Sequence, residues 1–187
     1  QIKGHKTLLK RPMHFFNAIF KLLHTKVYTN TGYLPVKIQG PLQPANIQIN
    51  GSNSSQFLTG LLFAFSGANA SNVSIQVNQL HSKPYIALTL QVMKQFGLKT
   101  PTHKSYEFLD DYDMFYFDDT IVNNEPLTIN YNYTVEGDWS GAAFLLVAGA
   151  INGSITVTGV DNYSLQADKA ILKVLEMAGV SLQTKAD

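Results

Sequence analysis

The chain has 187 residues, of which 45% are apolar and 14% charged, with a formal net charge of +1. That balance supports a well-buried core and excludes intrinsic disorder, while the lack of long basic runs excludes nucleic-acid or anionic-membrane binding through a charged surface. Cysteine is absent, which rules out disulfides, cysteine–zinc sites and a thiol nucleophile, and no apolar stretch reaches the roughly 18 residues of a membrane span.

The N-terminal "QIKGHK" lacks the apolar core of a signal peptide, and a cytoplasmic protein is the simplest reading. Arg11-Pro12 opens the helical pattern "MHFFNAIFKLLHTKVYT", with proline suited to a first helical position because its missing N–H has no intrahelical partner. Strands are expected at "KVYT" and "VKIQG". The turn "NGSNSSQFL" (50 to 58) then runs into an apolar helix. Its serines read either as a helix cap or as part of an anion site, since a helix start offers unpaired N–H groups and a positive dipole end. A half-buried strand at 73 to 77, "VSIQV", leads through a polar loop to "SKPYIALTLQVMKQFGLK", a second proline-started helix.

Residues 105 to 138 read as strands and turns. Their aspartates lack the spacing and glycine of an EF-hand calcium loop. Asp138 before "WSGAAF" reads as an N-cap in preference to an acid catalyst. An apolar helix at 140 to 150, a strand at 155 to 158 and a helix at 167 to 181 complete the chain. The five histidines show no paired metal-ligand spacing and are expected to be solvated or packed. The Asn-x-Ser/Thr triplets are read as chance matches.

The chain repeats itself. At an offset of 82, Ser82 aligns with Ser164, Leu90 with Leu172, and Gly97 with Gly179. Both glycines fall where a residue of positive φ should end a helix. At an offset of 85, "SQFLTGLLFAF" aligns with "SGAAFLLVAGA". Helices so continuously apolar are expected to be buried on all sides. Ser164, as the repeat partner of Ser82, is expected to be a cap. The unit is strand, buried helix, strand, amphipathic helix, then further strands. The abrupt beginning and the end at "QTKAD" suggest a piece of a longer protein.

Five stretches in order carry a family resemblance: "RPM" at 11, "NGSNSSQFLTGLL" at 50, "SKPYIALTL" at 82, "YTVEGDWSGAAFLL" at 133 and "SLQADKAILKVLEMAG" at 164. Together they resemble the middle of enolpyruvylshikimate-phosphate synthase, or 3-phosphoshikimate 1-carboxyvinyltransferase. The resemblance implies an α+β, prism-like fold of repeated βαβαββ units. It places residues 1–136 in one domain and 137–187 at the start of a second, with the crossing near Val135 to Asp138. It implies transfer of the enolpyruvyl group of phosphoenolpyruvate to the 5-hydroxyl of shikimate 3-phosphate, without metal or organic cofactor. The partners implied are these small anionic substrates, with no nucleic acid and no membrane, in a protein that is a monomer at full length.

Residue by residue, the family implies that Ser54, Ser55 and Ser82 hold the phosphate of shikimate 3-phosphate. Gln56 resembles a glutamine reaching both substrates, Tyr85 a tyrosine beside the shikimate, and Arg11 an arginine on phosphoenolpyruvate. Taken singly, each has a plainer reading: Ser54, Ser55 and Ser82 as caps, Tyr85 as a surface aromatic, Arg11 as a solvated first-turn side chain. The family usually carries Asp at Asn50 and Ala87, and a small residue at Trp139. Its "GNxGT" loop would precede the chain and its proton-transferring carboxylates and lysine would follow it, so the resemblance implies no catalytic residue within 1–187 and a chain inactive alone. Two alternatives stay open: UDP-N-acetylglucosamine enolpyruvyl transferase, and a non-catalytic binding module of the same repeat.

Overall fold

A computed structural model describes residues 1–52, 54–106, 111–120 and 132–185. Two compact units emerge, one of residues 1–81 and 92–124, the other of 82–91 and 125–187. In the first, a 3-10 helix at Lys6–Lys10 precedes α1 (His14–Leu22), which turns Ile19 and Leu23 into the core. Pro12 sits just ahead of the N-cap Met13, not at the first helical position. The expected strands follow as an antiparallel hairpin of β1 (Lys26–Asn30) and β2 (Tyr33–Gln39).

The chain then makes one full βαβαββ pass: β3 (Ile47–Asn50), α2 (Ser55–Gly67), β4 (Val73–Asn78), α3 (Lys83–Gln95), β5 (Thr102–Tyr106) and β6 (Tyr112–Phe117). The sheet order is β3-β4-β6-β5, with β3 parallel to β4 and the other pairs antiparallel. Period-two alternation sets the register. One row runs Ile47, Ile75, Phe115, His103, and the next Ile49, Val77, Asp113, Ser105. The first three members of each row are buried, so one face is apolar except at Asp113 of β6 and at its β5 edge. Phe65 of α2 lies against Phe117 of β6, ring centroids 5.6 Å apart.

Where β3 meets α2, Gly51 lets the chain pass against β4. Its amide donates to the Asn78 carbonyl at 2.8 Å, and a Cβ there would fall 2.7 Å from Val77 Cγ1 and 3.0 Å from Leu80 Cα. Gly51→Ala is therefore expected to cost about 1–3 kcal/mol through overpacking. It should appear as a lower urea midpoint at unchanged m-value.

In the second unit α4 (Trp139–Asn152) leads to a 3-10 helix at Ala167–Ala170 that continues into α5 (Ile171–Met177). The repeat is visible in local geometry. Gly97 and Gly179 have φ of 66° and 82°. Each donates to a carbonyl three residues back, and the next amide reaches one five back: Leu98 to Met93 at 2.9 Å, Val180 to Leu175 at 3.0 Å. These are paired Schellman closures at the expected offset.

Two further expectations are corrected. Residues 155–158 do not form a ladder with any described residue. A strand needs a neighbour for its N–H and C=O groups, and here the segment instead lies against α4, where a Cβ on Gly149 would fall 2.3 Å from Ile155 Cγ2. The apolar helices are also not buried on every side: α2 exposes Phe63, and α4 buries Trp139, Ala142 and Gly149 while Phe144 and Ile151 stand largely exposed. An all-round apolar helix needs neighbours all round, and among the described residues these two find them on one side only. Of the expected strands and turns at 105 to 138, residues 107–110 and 121–131 lie outside the described set.

Candidate functional site

The start of α2 is built from the turn that Gly51 permits. Asn50 Oδ1 accepts from the Ser52 amide at 2.8 Å, closing an Asx turn. Ser54, extended at φ −170° and ψ 129°, is the N-cap, and its hydroxyl accepts from the Gln56 amide at 3.2 Å. Ser55 takes the first helical position and Gln56 the next, the serines half-buried and Gln56 exposed. No acidic residue occupies this first turn. The helix therefore presents a neutral cap and a positive dipole end, the electrostatic setting in which an anion is favoured.

Arg11 belongs to the same unit. It closes the 3-10 helix, its amide donating to the Leu8 carbonyl at 3.2 Å, and its side chain is exposed. Four residues on, Phe15 stacks on Phe57 with centroids 4.4 Å apart and planes within 13°, and Phe16 meets the same ring edge-on at 5.4 Å. Phe57 directly follows Gln56. Stacking of this kind adds to the apolar burial, and it holds the start of α1 against the start of α2. The sequence offered Phe15, Phe16 and Phe57 only as members of two expected helices; their apposition had no local signal.

In the second unit Ser82 precedes α3, exposed and at φ 60°, a left-handed conformation unusual for a residue with a Cβ. Its carbonyl accepts from the Tyr85 amide at 3.1 Å. Tyr85 is 45% exposed, and its hydroxyl lies 3.4 Å from Asp168 Oδ2. Ala87, one turn along, lines an open groove of about 760 Å³ with Pro84, Gln166, Leu172 and Lys173.

The start of α4 contrasts with that of α2. Asp138 is its N-cap, as expected, accepting from the Ser140 amide at 3.1 Å and the Gly141 amide at 3.0 Å. This helix end already carries its own carboxylate. Ser164, expected as a cap, is not one: Gln166 is the N-cap of the 3-10 helix. Ser164, 3% exposed, accepts from the Gln166 amide in a turn ahead of that helix and donates to Glu136 Oε2 at 2.5 Å. Gln166 bonds Glu136, the Gly137 carbonyl and the Trp139 amide. Glu136, Gln166 and Asp168 were not singled out as site residues from sequence, since partners 27 to 30 positions apart leave no periodic trace.

Elsewhere two carboxylates, Asp113 and Asp118, serve structure. His103 Nε2 and Ser105 Oγ both lie on Asp113 Oδ1, at 2.7 and 2.5 Å, and the His103 ring stacks on Phe115. This follows from the two register rows and ties edge strand β5 to β6. In the aspartate-rich stretch, the Thr120 hydroxyl and amide hold the Asp118 carboxyl below its usual range, an Asx turn. Among the described residues no group of three or more His, Asp or Glu could hold a metal ion, and no helix is long and apolar enough to cross a membrane.

The chain is similar to known proteins over nearly its whole length. The family model of EPSP synthase (3-phosphoshikimate 1-carboxyvinyltransferase) matches residues 1–187. A protein named 3-phosphoshikimate 1-carboxyvinyltransferase from Tolumonas auensis is 37% identical over 185 residues, covering 97% of this chain and 40% of that protein. One of the same name from Brachyspira hyodysenteriae is 34% identical over 189 residues, covering 98% and 40%. The chain thus spans about 40% of the length of these curated relatives. The structure of EPSP synthase from Acinetobacter baumannii superposes with a TM-score of 0.63 at 21% identity, over 95% of this chain and 36% of that one, a likeness of fold.

Proposed function

The chain belongs to the EPSP synthase family, and on that premise we propose that it supplies substrate-binding residues for enolpyruvyl transfer from phosphoenolpyruvate to the 5-hydroxyl of shikimate 3-phosphate. The hydroxyl adds to protonated phosphoenolpyruvate, and phosphate then leaves the tetrahedral intermediate, completing a step on the route to chorismate. In this reading Ser54, Ser55 and Ser82 bind the phosphate of shikimate 3-phosphate, Tyr85 contacts the shikimate, Gln56 serves both substrates, and Arg11 offers phosphoenolpyruvate a planar pair of donors. Their part is to position and neutralise anions. The crossing between the two domains of the full protein is placed near Val135 to Asp138, with 1–136 before it and 137–187 after. The reading also makes the protein a cytoplasmic monomer at full length.

The observation that carries the reading is the start of α2, a neutral hydroxyl cap with no acid in its first turn, where the repeat-related α4 is closed by Asp138. One helix start is left for an anion and the other is already satisfied. Titration of the 187-residue chain with shikimate 3-phosphate, followed by amide NMR, is expected to move Ser54, Ser55, Ser82 and Tyr85 at up to millimolar ligand. Ser55→Ala, which leaves the Ser54 cap in place, should weaken that response about three- to tenfold, the worth of one hydrogen bond to a charged group. Silence of those four amides, or movement confined to residues elsewhere, would sink the reading.

A further inference from the structure

We propose that Asp168 is a positioning residue for Tyr85, making its phenol a hydrogen-bond acceptor that reads a neutral hydroxyl of the ligand and turns away its anionic oxygens. The proposal rests on Tyr85 being a ligand contact, as read above. All its members lie in the second compact unit. Tyr85 projects from the first turn of α3, and Asp168 stands in the 3-10 helix at Ala167–Ala170. A phenol has one proton and a carboxylate none to give, so the contact between Tyr85 Oη and Asp168 Oδ2, at 3.4 Å, is Tyr85 donating.

The same oxygen is fixed from the other side by the Ser140 hydroxyl, donating at 2.8 Å. Ser140 is itself held, its amide bonded to the capping carboxylate of Asp138 at 3.1 Å. Asp168 therefore cannot follow the phenol freely, and the contact is held at one end. The neighbouring cation does not neutralise it: Lys169 Nζ donates to the Asn162 carbonyl at 3.0 Å. With its proton committed, Tyr85 keeps only acceptor capacity on an exposed hydroxyl. A hydroxyl donor gains a bond there. A phosphate or carboxylate oxygen meets two acceptors and a negative charge. A ligand carrying both kinds of group, such as a polyol phosphate, is thereby given one orientation, with its phosphate directed away from Tyr85.

Two measurements on the 187-residue chain test this. Without ligand, the ring 13Cζ resonance of Tyr85 is expected to move in Asp168→Ala and to return toward its original position in Asp168→Glu. With ligand, Asp168→Ala is expected to weaken shikimate 3-phosphate roughly three- to tenfold while inorganic phosphate binds no worse than to the wild type. In a Tyr85→Phe background Asp168→Ala should add nothing. A purely structural carboxylate would weaken both probes together and would still act without the phenol, and either result overturns the proposal. So does a 13Cζ resonance that stays in place. A wild-type chain that responds to neither probe removes the functional reading above and this one with it, whereas a failure confined to the Asp168 variants removes this one alone.

Discussion

Replacing Trp139 by alanine is expected to remove about 3–5 kcal/mol of stability, the range for deleting a fully buried large aromatic. The ring is 2% exposed at the start of α4. Its indole N–H donates to the Asp161 carbonyl at 2.9 Å, and its backbone amide to Gln166 Oε1 at 3.0 Å. The side chain is thus both apolar filling and the clasp of the loop that follows residue 158. Trp139→Phe should recover part of the loss, since it restores most of the volume but leaves the Asp161 carbonyl without its donor. Urea unfolding followed by far-ultraviolet circular dichroism reads the effect, because Trp139 is the chain's single tryptophan and its fluorescence disappears with it. A loss below 1 kcal/mol would mean that the loop is held without the ring.

Phe65→Ala is expected to cost a similar 3–5 kcal/mol in the first unit. Phe65 is fully buried and lies on Phe117. Two positions earlier, Phe63 is 42% exposed on the other side of the same helix, and Phe63→Ala should stay within about 1 kcal/mol. The contrast matters because α2 carries Ser54, Ser55 and Gln56 at its start. If Phe65 anchors the helix to the sheet, its loss should also blunt the amide response to shikimate 3-phosphate, while Phe63→Ala leaves that response in place. Equal costs for the two variants would contradict the packing described.

Much of the fold was legible in the residues. Alternation marked β4 but not the four-residue β3, and the offsets of 82 and 85 placed the starts and ends of the repeated helices. Gly97 and Gly179 were readable as helix closures because few other residues accept positive φ. Asp138 was readable as a cap because capping is a local hydrogen bond within three residues. The strand expected at 155–158 was not realised, since alternation shows that a segment could pair and not that a neighbour exists. Pro12 missed the first helical position by two residues, within the usual slack of helix boundaries.

The candidate site divides along the same line. By itself the sequence determined the residue types at each helix start: Arg11 before α1, Ser54, Ser55 and Gln56 at α2, Ser82 and Tyr85 at α3. Caps, turns and helix starts are decided by contacts over a few residues, so a linear pattern can carry them. Tertiary structure alone decided that Phe15 stacks on Phe57, that Ser164 serves Glu136, and that Asp168 holds Tyr85 and Ser140. Those pairs lie 28 to 83 positions apart. Their meeting depends on how sheet and helices pack, a collective outcome of burial that no local stretch encodes.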